Sequence, residues 1–272
     1  MKFGQELTDT IRIAEAAGTI VLRYYTQDCS VYEKENKTPV TEADLAANTY
    51  IIEEIKKISP HPILSEETKD DISRLGNDWL WIVDPLDGTK DFLNKTDEFS
   101  IMIGLVHCGN PVLGVVYQPT TGHCYLAEKG HGAFLKQDDI FTPLTVSQKN
   151  NGSDMTVVVS KSHLAKEDQL IARKLHANSF RQSGSVGIKI GLIANKQADI
   201  YYNISPYTSE WDTCAPEIIV QEAGGIMTDI FGKSLAYNQT DVTRKDGIVA
   251  SNGTMHDTII AAINSVLAET RT

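Results

Sequence analysis

The chain has 272 residues, of which 41% are hydrophobic, 22% charged and 7% aromatic, with 19 Gly and 9 Pro. This composition excludes wholesale disorder and collagen-like repeats, and the length allows one large core or two cores sharing a layer. Lys and Arg total 25 against 36 Asp and Glu, a net charge of −11. That balance argues against a nucleic-acid duplex as partner, and a small anionic substrate would need local cations, metals included, to overturn it.

No apolar run approaches the roughly 20 residues of a membrane span. The opening Met1-Lys2-Phe3-Gly4-Gln5-Glu6 turns polar at once, without the apolar stretch of a signal peptide. No membrane partner is expected, and the expected location is cytoplasmic. Cys29, Cys108, Cys124 and Cys214 have neither zinc-ribbon nor redox-motif spacing and read as reduced thiols.

Leu7, Ile11, Ala14, Gly18, Leu22 and Tyr25 recur at steps of three and four, predicting an amphipathic helix over 5–25. Thr41 heads a capping-box pattern with Asp44 and opens a second helix to about Ile58, which Ser59-Pro60-His61-Pro62 stops. Ile63-Leu64-Ser65 is a short strand leading to Glu66-Glu67, and Trp79–Val83 is a strand ending on Asp84. Phe99–Val106, Val112–Tyr117 and His123–Glu128 follow as an antiparallel meander with Gly- and Pro-containing turns. After about Asn150 the rhythm becomes α/β. Strands are expected at Thr156–Ser160, Ile200–Asn203 and Gly247–Ser251, and helices near 166–177, 186–195, 213–223 and 255–268. Two lobes result, 1–150 and 151–272, broken near 147–154.

The most informative segment is Trp81-Ile82-Val83-Asp84-Pro85-Leu86-Asp87-Gly88-Thr89-Lys90-Asp91-Phe92. A buried strand delivers Asp84, Pro85 fixes the exit, and Asp87 returns three residues on. The two carboxylates and the Leu86 carbonyl are hard oxygen donors that suit Mg²⁺. Gly88 permits a close backbone approach, and the Gly88 and Thr89 amides are free to face an anion. Taken alone, the segment reads first as a strand followed by an Asp-rich turn. Likewise Glu66-Glu67 alone reads as an acidic bend, and Asp212, in Glu210-Trp211-Asp212-Thr213-Cys214-Ala215-Pro216, as a helix N-cap.

Together, Glu66-Glu67, Asp84–Thr89, Trp211-Asp212 and Ala223-Gly224-Gly225 resemble, in order, the pattern of the lithium-sensitive, magnesium-dependent phosphomonoesterases of the inositol monophosphatase superfamily. The resemblance runs from about residue 5 to 265. It implies a layered α-β-α-β-α sandwich of the sugar-phosphatase type, α+β to α/β in class, with the two lobes meeting at the site. It further implies that Glu66, Asp84 and the Leu86 carbonyl hold one Mg²⁺, and that Asp84, Asp87 and Asp212 hold a second. The substrate phosphate would lie against the Gly88 and Thr89 amides. Asp44, in the stretch Lys34–Asp44, would pair with the Thr89 hydroxyl to orient water and could help hold a third ion. Glu66, Asp44 and Thr89 are the implied catalytic residues, and Li⁺ the implied inhibitor.

Within the superfamily, Lys90-Asp91-Phe92 after Gly-Thr is nearest the branch acting on adenosine 3',5'-bisphosphate. Ser160-Lys161-Ser162-His163 is similar to the stretch whose His faces the nucleoside, and Gly184-Ser185-Val186-Gly187-Ile188-Lys189 to the segment whose Lys meets the second phosphate. His163, Ser185 and Lys189 are thus the expected substrate residues. Val186 and Asn203 depart from that branch, where Ser and Arg are usual. The implied reaction is Mg²⁺-dependent hydrolysis of the 3'-phosphate to AMP and phosphate, on a small phosphorylated nucleotide, by a monomer or homodimer. An inositol or other sugar monophosphatase is the alternative within the superfamily. A non-catalytic metal- or nucleotide-binding relative would be expected to have lost a metal carboxylate, and none is missing here.

Overall fold

The computed structural model describes residues 3–27, 30–33, 39–70, 72–161 and 166–270. Cys29, residues 34–38 of the N-terminal loop and His163 lie outside the described residues. In the first half the elements are α1 (Gln5–Tyr25), β1 (Val31–Glu33), β2 (Pro39–Thr41), α2 (Glu42–Ile58), β3 (Ile63–Ser65), β4 (Trp79–Asp87), α3 (Thr89–Leu93), β5 (Ser100–His107), β6 (Asn110–Gln118), β7 (His123–Glu128), β8 (Gly132–Gln137) and β9 (Ile140–Pro143). The second half supplies β10 (Thr156–Ser160), α4 (Lys166–Lys174), β11 (Ser179–Ser183), α5 (Val186–Ala194), β12 (Ile200–Asn203), α6 (Glu210–Glu222), β13 (Ile226–Thr228), β14 (Ile248–Ser251) and α7 (His256–Thr270).

Strands β3 to β9 form a seven-stranded sheet in sequence order. Only the β3–β4 pair is parallel; the remainder is an antiparallel meander. The second sheet has five strands in the order β11-β10-β12-β14-β13. Its β10 runs parallel to β11 and β12, while β14 is antiparallel to β12 and β13. The α/β rhythm expected for this half therefore ends in a mixed sheet.

Strand alternation explains the layering. Trp81 and Val83 of β4, with Ile101, Ile103 and Leu105 of β5, face one way, onto Leu7, Ile11 and Ala14 of α1 and Ile51 and Ile55 of α2. Leu80, Ile82, Met102 and Val106 face the other way, onto Ile188 and Leu192 of α5 and Cys214, Ala215 and Ile218 of α6. Those two helices share their core with Val158 and Tyr201 of the second sheet. On that sheet's far face, Val157, Val159 and Ile200 pack on Ile171 of α4 and on Ile259 and Ile263 of α7. The result is the α-β-α-β-α sandwich.

A close approach sets the height of α6. Gly104 and Gly114 are cross-strand partners, and α6 lies directly over them. A Cβ on Gly104 would sit 2.5 Å from Cys214 Sγ, and one on Gly114 would sit 2.6 Å from the Ala215 carbonyl oxygen. No other residue type lets the helix come this near.

Candidate active site

Three elements converge on a cavity of about 290 Å³ lined by Glu66, Asp84, Leu86, Asp87, Asp91 and Asp212 on its acidic side, and by Gly88, Thr89, Lys90, Ser160, Lys161, Gly184 and Pro39 elsewhere. Strand β4 does not end at Asp84 as the sequence suggests. It runs on to Asp87 through a register shift between the two. Pro85, lacking an N–H, falls in that irregular stretch, where no ladder bond is required of it. The shift delivers both Asp84 and Asp87 to the cavity. Because β3 is parallel to β4 with Ser65 opposite Val83, Glu66 emerges beside Asp84, and its amide donates to the Val83 carbonyl at 3.2 Å.

Asp212 comes from the first turn of α6. That helix begins at Glu210, three residues before the expected start, so Pro216 lies inside it. Asp212 is therefore no N-cap. It is the third helical residue, and its Oδ2 accepts the Ser209 amide at 2.6 Å. Neighbouring side chains fix this turn. The fully buried Glu210 accepts the amides of Asn238 and Gln239 at 2.8 and 2.9 Å. Buried Arg74 holds the same loop, donating to Asn238 Oδ1 at 2.8 Å and the Gln239 carbonyl at 2.9 Å.

Carboxylate oxygens of Asp84, Asp87 and Asp212 lie within 4.8 Å of one another. Asp84 is 1% and Asp87 8% exposed, and Asp212 is half-buried. Burial, and then the charges of Glu66, Asp87 and Asp212, push the Asp84 carboxyl well above the usual carboxylate range. Asp212 is raised well above it in the same way, by burial and then by Asp87 and Glu66. Asp87 is raised by burial, although Ser185, Lys189 and the Gly187 amide oppose the shift. Such a cluster is an electrostatic liability unless a cation joins it. Its donors are all hard oxygens, which fits a divalent ion such as Mg²⁺ and not a thiolate- or imidazole-preferring metal.

Asp44 is buried at the start of α2, where Thr41 and Asp44 form the capping box. Asp44 Oδ2 accepts the Thr41 amide at 2.8 Å and the Thr41 hydroxyl at 2.5 Å. Asp44 Oδ1 is 3.2 Å from Thr89 Oγ1, which is also 3.2 Å from the Leu86 carbonyl oxygen. Burial raises the Asp44 carboxyl from its ordinary value. Gly88 adopts φ +91°, and a Cβ there would also lie 3.0 Å from the Glu98 carbonyl oxygen. Glycine thus lets the chain turn so that the Gly88 and Thr89 amides head α3.

Ser185 and Lys189 do not reach the cavity. Ser185 is 1% and Lys189 2% exposed. Ser185 Oγ donates to Asp87 Oδ2 at 2.5 Å, and the Gly187 amide donates to the same oxygen at 3.1 Å. Lys189 Nζ donates to the Gly184 carbonyl and lies 5.3 Å over the Tyr201 ring. Burial pulls the ammonium below the ordinary lysine value, while Asp87, Asp91, Glu98 and Asp212 oppose that shift. Both residues therefore bear on the cavity from behind Asp87. Helix α5 is buried on all sides, so Lys189 lies within the wall, its Nζ on the carbonyl of Gly184, which itself lines the cavity. Sequence reasoning gave no role to Lys90, Lys161, Asp91 or Glu98. Lys90 and Asp91 carried a signal as part of the segment after Gly88-Thr89, and Lys161 as a neighbour of His163; Glu98 carried none.

A three-layered helical frame around two sheets, with a buried acidic cluster beside a glycine-turned helix start, defines a fold that presents oxygen donors to a cation and, next to them, the backbone amides of a helix start. The chain belongs to the inositol monophosphatase family, whose model matches residues 5–268. The 3'(2'),5'-bisphosphate nucleotidase CysQ of Aggregatibacter actinomycetemcomitans is 36% identical over 238 residues, covering 86% of this chain and 88% of that protein. Among solved structures, the IMPase of Thermotoga maritima has a TM-score of 0.83 at 28% identity, covering 98% of this chain and 99% of that one. CysQ from Bacteroides thetaiotaomicron has a TM-score of 0.77 at 32% identity, covering 92% and 97%.

Proposed function

We propose that the chain is a Mg²⁺-dependent phosphomonoesterase that removes the 3'-phosphate of adenosine 3',5'-bisphosphate, leaving AMP and phosphate. The observation that carries the reading is the convergence of Asp84, Asp87 and Asp212 within 4.8 Å in a cavity also lined by Gly88 and Thr89. The 36% identity to a bisphosphate nucleotidase over most of both chains supports this choice of substrate.

In this reading Glu66, Asp84 and the Leu86 carbonyl hold one Mg²⁺, and Asp84, Asp87 and Asp212 a second. Bound there, the ions would acidify the attacking water and neutralise charge on the leaving oxygen. The protein's own groups do the rest. The Gly88 and Thr89 amides face the phosphate oxygens. Thr89 donates its hydroxyl proton toward Asp44, so its oxygen is left to accept a hydrogen from the water and turn the water's lone pair toward phosphorus. Ser185, Lys189 and the Gly187 amide hold Asp87 in place. The two lobes, 1–150 and 151–272, would meet at this cavity. Li⁺ should inhibit more strongly than Na⁺ at equal ionic strength, because a small monovalent ion can occupy the second site without matching its charge.

A second reading, an inositol or sugar monophosphatase, is favoured by the buried position of Lys189 and by the TM-score of 0.83 to the Thermotoga IMPase. Phosphate release from adenosine 3',5'-bisphosphate, inositol 1-phosphate and fructose 1,6-bisphosphate separates the two. The nucleotide should give the highest kcat/KM; a higher value for inositol 1-phosphate would replace the first reading with the second.

A further inference from the structure

We infer that Arg74 is a positioning residue that sets Asp212 against Asp84 and Asp87, and so governs the affinity of the second ion. This rests on the two-ion reading above. Two of that ion's three carboxylates, Asp84 and Asp87, ride on one strand, β4, so their spacing is fixed locally. The third comes from the first turn of α6, in the other half of the chain. A metal site tolerates little error in where its ligands stand, and removing a partner behind a ligand typically costs 10- to 100-fold in affinity. The start of α6 therefore has to be located against the segment that carries the other carboxylates.

The stretch 236–244 forms a collar around that start. Ser209 bridges to Thr243, the Glu210 amide donates to the Val242 carbonyl at 2.9 Å, and the Arg244 amide to the Thr208 carbonyl at 2.8 Å. The Glu210 carboxylate takes the Asn238 amide on one oxygen and the Gln239 amide on the other. Arg74 grips the same two residues from the opposite side. It lies on the segment that leaves Glu66 and enters β4, and its side chain is 2% exposed. Its Nε and Nη2 both donate to Asp70 Oδ2, at 3.0 and 2.6 Å, which orients the guanidinium. Nη1 then reaches Asn238 Oδ1 and Nη2 the Gln239 carbonyl. Asn238 Nδ2 donates in return to the carbonyls of Arg74 and Asn77 at 3.3 and 3.1 Å. Asn238 and Gln239 are thus clamped between Arg74 and Glu210, and Glu210 stands two residues from Asp212. An apolar side chain would fill this space without burying a charge, so packing alone does not call for arginine. A fixed fork of donors that locates two neighbouring residues does.

The test titrates metal-free protein with Mn²⁺, an oxygen-preferring ion whose free form is counted by electron paramagnetic resonance. In Arg74→Met the weaker of two dissociation constants should rise about 10- to 100-fold while the tighter one stays within about twofold. Arg74→Lys, which keeps the charge and loses the fork, should recover part of the affinity. Asn238→Gly is the second variant, in case Arg74→Met does not fold. Asn238 has φ of 63°, so glycine suits the backbone there, and the loss of the Arg74 contact should again weaken only the second ion. In phosphate-release assays both variants should need more Mg²⁺ for half-maximal rate, by a similar factor, and recover most of kcat when it is saturating. Ile263→Val, in the core on the far face of the second sheet, lowers stability without touching the collar and should leave both constants unchanged. Both constants rising together, neither changing in a folded variant, or Ile263→Val weakening the second ion as much would overturn the inference. Wild-type protein that binds fewer than two Mn²⁺ would overturn the two-ion reading, and this inference with it.

Discussion

Replacing Asp84 with Asn removes one negative charge from the centre of the cluster while preserving its shape. The Leu86 amide, now 3.0 Å from Asp84 Oδ1, keeps an acceptor, and the new amide group can donate to a neighbouring carboxylate. Oxygens of Asp87 and Asp212 lie within 4.8 Å, where each full charge pair repels by roughly 3–4 kcal/mol at an effective dielectric constant of about 20. Lys189, Ser185 and the Gly187 amide already offset part of the charge on Asp87, and a shared proton relieves more. A net gain of about 2–4 kcal/mol is therefore expected for the metal-free protein, which for a chain of this size raises Tm by about 5–10 °C. Scanning calorimetry in EDTA measures it. In excess Mg²⁺ the order should reverse, because the wild type gains binding free energy that the variant has lost. The variant's turnover should fall by several orders of magnitude. A variant less stable than wild type in EDTA, or equally stabilised by Mg²⁺, would refute the reasoning that this cluster is built for a cation.

Thr89→Ala should reduce kcat far more than it raises KM, since the lost contact belongs to the transition state; a raised KM at unchanged kcat would confine Thr89 to phosphate binding. Gly114→Ala should destabilise by about 1–3 kcal/mol and reduce activity with it, because the new methyl pushes α6, and Asp212 with it, off the sheet; denaturant melts and kinetics would show the two losses together. Buried Glu217 accepts the Tyr237 hydroxyl and the Gln221 amide, and burial pushes its carboxyl from 4.5 up to about 7. An acid raised by folding weakens the fold as pH rises from the unfolded value through the folded one. Glu217→Gln should therefore gain on wild type between about pH 4.5 and pH 7, by about 3 kcal/mol at most, and stay level above that; a difference independent of pH would be contrary evidence.

The framework was legible where burial writes a period into the chain. Leu7, Ile11 and Ala14 mark one face of α1, and the apolar run before Asp84 marks a strand covered on both sides. Strand β11 was not legible, because Ser179, Phe180, Arg181 and Gln182 are exposed on a sheet edge and carry no apolar alternation. Nor was the β8–β9 hairpin, whose turn at Asp138, with φ of 53°, lacks a glycine signal. The candidate site divides in the same way. Asp84 and Asp87 sit on one short segment whose residue types announce a cluster. The bonds that support them join Asp87 to Ser185 and Glu98 to Gly184, 98 and 86 residues apart. The inward direction of Lys189 depends on how α5 packs between two sheets, which no local pattern encodes.

Hydrolysis of adenosine 3',5'-bisphosphate in ¹⁸O-labelled water, with both products analysed by mass spectrometry, bears most directly on the proposed chemistry. One labelled oxygen should appear in each inorganic phosphate, with unlabelled AMP as the nucleoside product, and both should vanish when Mg²⁺ is withdrawn. Label in the nucleotide, release of the 5'-phosphate in place of the 3', or turnover that persists in EDTA would contradict attack by a metal-activated water at this carboxylate cluster.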